Sequence, residues 1–195
     1  MTSQPGAGQI FFCGDVHGNF QHIINVLQEH TPAAIVLLGD IQGQRPLEQE
    51  LAAILDKTEV WFIHGNHDTD SVADYDNLFG SALAHKNLNG RGVEIAGVRV
   101  AGLGGIFRGQ VWRPPEPGEA SSSKEYTRIV GRGNRWRDGL PSKHRSTIFR
   151  DNYELLSKQG ANVLATHEAP SAHPHGFEAI DDLARSLRVT TAFHG

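Results

Sequence analysis

The stretch Ile10-Phe11-Phe12-Cys13-Gly14-Asp15-Val16-His17-Gly18-Asn19-Phe20 decides how the chain reads. Four apolar residues run into a polar cluster flanked by glycines, and Phe20, Ile23, Ile24 and Leu27 then recur at helical spacing. The unit implied is a buried strand, a tight loop and an amphipathic helix, with Asn19 placed to cap that helix. The same unit returns downstream. Residues 34–38 form an apolar run that ends in Gly39-Asp40, after which Pro46 suits a first helical turn and Leu47, Leu51, Ile54 and Leu55 make a stripe. Residues 60–63 lead into Gly65-Asn66-His67-Asp68, and residues 163–165 lead into Thr166-His167-Glu168.

In open α/β sheets ligands gather at the carboxyl ends of strands, so these four loops should converge although they lie far apart in sequence. Leaving Asp68 and Glu168 aside, they offer two aspartates, an asparagine and three histidines. That mixture of oxygen and imidazole donors suits divalent transition metals with Lewis-acid duties. Asp15 and His17 are expected on one side of an extended strand end, where they can grip one ion. Asp40 has two carboxylate oxygens and could bridge two.

The rest of the chain bounds the reading. At 195 residues it suits one domain able to bury its own core. With 38% hydrophobic residues, 21% charged and a net charge of -4, it has the composition of an ordinary soluble protein. A single cysteine, Cys13, excludes an intramolecular disulfide and any cysteine-rich zinc site. It reads as a small buried side chain, in a chain suited to the reducing cytoplasm. Residues 1–9 show no basic segment leading into an apolar run, so no signal peptide is expected. The apolar runs fall far short of the roughly 20 residues that cross a membrane.

Residues 93–95 and 98–101 alternate about Ala96-Gly97 as a two-stranded unit, and residues 102–105 then break the chain. Helices are expected around Ile148, Tyr153, Leu155 and Leu156, and around Phe177, Ile180, Leu183, Ala184 and Leu187, the latter before a strand at 189–193. Between 108 and 150 periodicity vanishes, and prolines, glycines and serines punctuate a stretch that reads as an irregular loop or small cap. This stretch holds 10 of the 18 Lys and Arg against four acids, so it is locally +6 and the remainder is -10. Such a run is either a solvated loop or a cap that steers an anion, with Trp112 or Trp136 available to stack on a base. Arg108, directly behind the glycine-rich break, is the best candidate to clamp a phosphate. His22, His30, His64, His85 and His144 are expected to carry no chemistry.

Taken in order, Asp15-x-His17, Gly39-Asp40, Gly65-Asn66-His67-Asp68 and the lone His167 resemble the calcineurin-like metallophosphoesterases, small bacterial members in particular. The resemblance runs from about Ile10 to the last residue and includes the glycine-broken stretch 93–105. It implies an α/β fold, with two mixed sheets packed as a sandwich flanked by helices. It further implies two divalent ions of the manganese, iron or zinc type. Asp15 and His17 would bind the first, Asp40 would bridge, and Asn66 and His167 would bind the second. His67 would contact the phosphate and protonate the leaving alkoxide, oriented by Asp68. Beside what the resemblance implies, Asn66 and, from its place behind the glycine-rich break, Arg108 are expected to meet substrate as well.

Two departures stand out. Gly43 occupies the place of a second aspartate common in the Gly39-Asp40 motif. The family's closing Gly-His-x-His is met only by its lead-in, Phe193-His194-Gly195, so the sequence is expected to stop inside that motif. Otherwise His194, His173 or His175 would be the substitutes. The substrate implied is a phosphorylated metabolite, nucleotide or phosphoprotein. A phosphodiesterase acting on nucleotides or nucleic acid competes with a monoesterase, and a non-catalytic interaction scaffold of the same fold is the alternative outside enzymes.

Overall fold

The computed structural model describes residues 6–195, so residues 1–5 of the polar opening stretch lie outside it. Among the described residues seven strands form two sheets. The first holds β1 (Gly6–Cys13), β2 (Pro32–Leu38) and β3 (Glu59–Ile63), paired in that order and parallel throughout. The second holds β4 (Arg91–Ile95), β5 (Val98–Leu103), β6 (Val163–Thr166) and β7 (Thr191–His194), mixed because β4 and β5 form a hairpin whereas β5, β6 and β7 run parallel.

The strict alternation of strand side chains builds the layers. On β2 and β3, Ile35, Leu37, Val60 and Phe62 face a cluster with Phe20, Ile23, Leu27, Leu47, Leu51 and Leu78. These come from α1 (Gln21–His30), the region of α2 (Leu47–Glu50) and α3 (Val72–Phe79). The intervening residues Ala34, Val36, Leu38, Trp61 and Ile63 face Ile95, Val100 and Ala165 of the second sheet, which closes the sandwich. On the far side, Ala101, Leu103 and Leu164 pack on Leu156 of α5 (Arg150–Ser157) and on Ile180, Leu183 and Leu187 of α6 (Glu178–Leu187). The order of layers is helix, sheet, sheet, helix.

Several local expectations are corrected. Asn19 caps nothing: α1 opens behind Phe20 without a side-chain cap. The stripe behind Pro46 forms only one short helix, and Leu51 and Ile54 are buried by the turns that follow it. Leu155, placed in an apolar stripe, points to solvent at 58% exposure. The largest difference is segment 108–150. It contains α4 (Ser123–Ile129) and short 3-10 turns at Arg132–Asn134 and Ser142–Ser146. Val111, Trp112, Ala120, Tyr126, Ile148 and Phe149 join the core of the second sheet. Trp112 is therefore buried and cannot stack on a base.

The basic side chains of this segment explain why it lacked periodicity yet is ordered. Arg137 forks onto Asp76 of α3, with Nη1 and Nη2 2.6 and 2.8 Å from the two carboxylate oxygens. Arg145 donates to the Tyr75 hydroxyl and the Trp136 carbonyl, both at 3.0 Å. Both guanidiniums lie over the Trp136 ring, 4.2 and 4.6 Å from its centroid. Docking by arginine and aromatic contacts leaves no hydrophobic period to read.

Candidate metal centre

Strands β1, β2, β3 and β6 all end on one side of the sandwich, and their following loops meet there. Asp15, His17 and Asp40 each place a ligand atom within 4.8 Å of the others. Asp40 is buried at 6% exposure, while Asp15 and His17 are exposed. The backbone that produces this approach is not an extended strand end, contrary to expectation. Asp15, His17, Asp40 and Gln42 all have positive φ, between 40 and 47°. Non-glycine residues enter that region at a cost and persist where surrounding contacts hold them, commonly at functional sites. Here His17 N–H donates to the Asp40 carbonyl and Gly18 N–H to the Ile41 carbonyl, both at 2.9 Å, which straps the first loop to the second.

Two glycines admit the approach. At Gly65 a Cβ would fall 2.1 Å from Asp40 Oδ1, and at Gly39, with φ +99°, it would fall 2.5 Å from His167 Nδ1. Gly195 is equally confined, since a Cβ there would meet the Leu38 carbonyl at 2.6 Å and His167 Nδ1 at 2.8 Å.

Each candidate ligand histidine, His17 and His167, is oriented through one ring nitrogen. His167 Nδ1 donates to the Leu38 carbonyl at 2.9 Å, which turns Nε2 toward Asp40 Oδ1 at 3.5 Å. His17 Nδ1 lies 2.7 Å from Gln42 Oε1, an acceptor that leaves Nε2 to coordinate. Such outer partners fix the tautomer and aim of metal-binding imidazoles. Gln42 was not among the expected site residues. Its signal lay in the unusual Ile41-Gln42-Gly43 continuation, whose partner 25 residues earlier no local pattern reveals.

Charge at the site follows from these contacts. Burial pushes the Asp40 carboxyl up, but His167 and the His67 amide outweigh it and hold Asp40 below the ordinary carboxylate value. Burial pulls His167 down, whereas Asp40 and the Leu38 carbonyl bring its pKa above the usual histidine value. A group held anionic beside an imidazole is a preformed place for a cation to replace a proton.

The loop after β3 forms a 3-10 turn at His67–Thr69. His67 donates its amide to Asp40 Oδ1 at 2.9 Å, and its ring stands 5.9 Å from that of His17. Its Nδ1 pairs with Asp70 Oδ2 at 2.5 Å. That hydrogen bond raises the His67 pKa above the ordinary value. The expectation that Asp68 orients His67 is corrected. Asp68 is fully buried and accepts the amides of Ile41, Gln42 and Gly65 at 2.7, 3.0 and 2.8 Å. It clasps the second loop to the third, and burial pushes its carboxyl up to about 6 despite those three donors.

Asn66 is half-buried at the mouth of the turn, and its carbonyl accepts from the Thr69 hydroxyl at 3.2 Å. Thr69 Oγ1 lies 2.8 Å from Ser146 Oγ, which in turn receives Arg108 Nη2 at 3.4 Å. Arg108 is thereby held at the edge of the His67 turn. Its Nε is buried with no partner among the described residues, and Asp70 and Glu168 are the carboxylates acting on it. Phe107 N–H donates to Glu168 at 2.7 Å, which ties the residue after His167 to the segment that carries Arg108.

Of the remaining histidines, His22, His30 and His85 are exposed, but His64 and His144 are buried at 3 and 2%. Burial lowers both to about 4, so both are neutral at pH 7. His173 lies with its ring 5.8 Å from His175 and 5.9 Å from His194, all three exposed. Cys13 is half-buried, and burial raises its thiol to about 11, which keeps it protonated and unreactive.

The two-sheet fold with donors gathered at its strand ends is that of a metal-dependent phosphoester hydrolase, and the chain belongs to the calcineurin-like phosphoesterase family, whose model matches residues 8–195. It is similar to an uncharacterized protein of Haemophilus influenzae, 41% identical over 186 residues that span 95% of this chain and 81% of the relative. The family binds divalent metals and acts on phosphorylated substrates in general. Among the described residues no helix is long and apolar enough to cross a membrane.

Proposed function

We propose that the chain hydrolyses phosphate esters in the cytoplasm with two divalent ions, manganese supporting activity. The observation that carries this is the convergence of Asp15, His17 and Asp40 with donor atoms within 4.8 Å of one another, next to His167. The donor set fits the ions. The 3.5 Å between His167 Nε2 and Asp40 Oδ1 suits two ligands that each sit about 2.0–2.2 Å from a shared cation. Asp15 and His17 would hold the first ion, Asp40 would touch both, and Asn66 and His167 would hold the second. When bound, the ions supply Lewis-acid charge to the phosphoryl oxygens and a nucleophile from water at neutral pH.

The protein's own groups do the rest. Asn66 and His67 face the substrate phosphate, and Arg108 offers its guanidinium from beside the His67 turn, where Ser146 and Thr69 hold it. His67 keeps a proton through its contact with Asp70 and delivers it from Nε2 to the departing alkoxide, so that the leaving group is expelled neutral. Asp68 acts one step removed by keeping the loops of Asp40 and His67 together.

The test is manganese-dependent hydrolysis of an aryl phosphate monoester and the matching diester, measured beside metal content. Stoichiometric metal with turnover supports the enzyme, and the preferred ester separates phosphatase from phosphodiesterase. Folded protein that retains no metal and turns over neither ester would defeat the proposal in favour of a scaffold.

A further inference from the structure

Away from the metal centre, a cavity of about 410 Å³ opens between α4 and the residues that follow it, lined by Lys124, Thr127, Arg128, Arg135 and Arg145 among others. No carboxylate lines it, and among the described residues none of the four cations is paired with one. Arg137 next to it shows the contrast, because its guanidinium is neutralised by Asp76.

The inner two cations are held in place. Arg135 Nη2 donates to the Thr127 carbonyl at 2.7 Å, and Arg145 is fixed by Tyr75 and Trp136 at 3.0 Å each. All these acceptors are neutral, so they position the guanidiniums without cancelling their charge. The Nε atoms of both arginines are buried without a partner among the described residues. Lys124 and Arg128, by contrast, are exposed at the rim.

We infer that this cavity is a second anion site, built for a phosphoryl dianion that is either free phosphate or the phosphate of a larger molecule. Four positive charges without a carboxylate partner around one concavity repel one another, and a doubly charged tetrahedral anion relieves that repulsion. Guanidiniums already fixed by neutral acceptors lose little freedom when the anion arrives. At about 30 Å³ per liquid water the cavity has room for roughly a dozen waters, more than a bare phosphate displaces, so an attached group can enter with it. The inference does not depend on catalysis at the metal centre.

Calorimetric titration of the full chain at low ionic strength tests it, with inorganic phosphate and a nucleoside 5′-monophosphate as ligands. The expected result is saturable binding that persists in Asp40→Asn and weakens at least tenfold in the rim variant Lys124→Gln/Arg128→Gln. Tryptophan emission should change with binding, since the Arg145 guanidinium lies 4.6 Å from the Trp136 centroid, and that change should disappear in Trp136→Phe. Equal affinity for the two ligands assigns free phosphate, and a tenfold preference for the nucleotide assigns a carried one. Absence of saturation, loss of binding in Asp40→Asn, or undiminished binding in the folded rim variant would each overturn the inference.

Discussion

Asp70 Oδ2 stands 2.5 Å from the Nδ1 of His67, across one 3-10 turn, whereas the adjacent Asp68 points inward and never engages that ring. The turn carries the backbone round so that residues i and i+3 lie on one face. The acid next in sequence is thereby sent into the core, and the acid three residues on reaches the imidazole. The two carboxylates of one short motif thus have separate work, and substitution should separate them.

His67→Ala should lower kcat by about 10²–10⁴, the range of a lost general acid. The deficit should be larger for an alkyl leaving group, which needs a proton, than for an acidic phenol. Asp70→Asn should show the same leaving-group dependence with a smaller loss, about tenfold. A Brønsted plot of rate against leaving-group pKa reads this directly, and parallel slopes for wild type and both variants would remove His67 from proton transfer.

Asp68→Ala should act on stability. It strands three buried amides from two loops, at about 1–3 kcal/mol each when wholly unsatisfied, so a loss of about 3 kcal/mol or more is expected. Urea denaturation followed by circular dichroism measures it. A variant as stable as wild type would show that the clasp contributes nothing.

Gln42→Ala should weaken metal binding by about 10–100-fold, the usual effect of removing an outer partner from a ligand histidine. Asp40→Asn should lose more, because in the proposed two-ion centre that one residue would serve both ions. Metal retained after dialysis against a graded chelator ranks the two. Wild-type retention by Gln42→Ala would mean that His17 needs no support or does not ligate.

Stability should fall in mild acid through His144. Its pKa is about 4 in the fold against 6.5 ordinarily, so between those values the unfolded chain binds a proton that the folded chain refuses. Stability is therefore full above about pH 6.5 and declines as pH drops toward 4, by on the order of 3 kcal/mol at 1.36 kcal/mol per unit. His64 acts in the same direction. Thermal melts across this range should show the decline, and His144→Gln should reduce its slope, leaving the part that His64 supplies. An equal slope in both proteins would place the linkage elsewhere.

What the sequence determined by itself is the part of the structure governed by local periods. The unbroken apolar run at Ile35, Val36 and Leu37, whose neighbours point to opposite faces of a strand, requires a core on either side of β2, and both are there. Apolar runs ending in short polar loops likewise anticipate where Asp15, Asp40, His67 and His167 would stand, because parallel strands deliver their ends to a common edge. Tertiary structure alone decided who touches whom there. Gln42 reaches His17 over 25 residues, and Leu38 reaches His167 over 129, through loops whose positive φ no composition announces. It also decided that segment 108–150 docks on the second sheet, with Val111, Trp112, Ala120, Tyr126, Ile148 and Phe149 joining its core. Their anchors are arginine forks, stacked rings and scattered apolar side chains, which need only meet in space and leave no regular spacing along the chain.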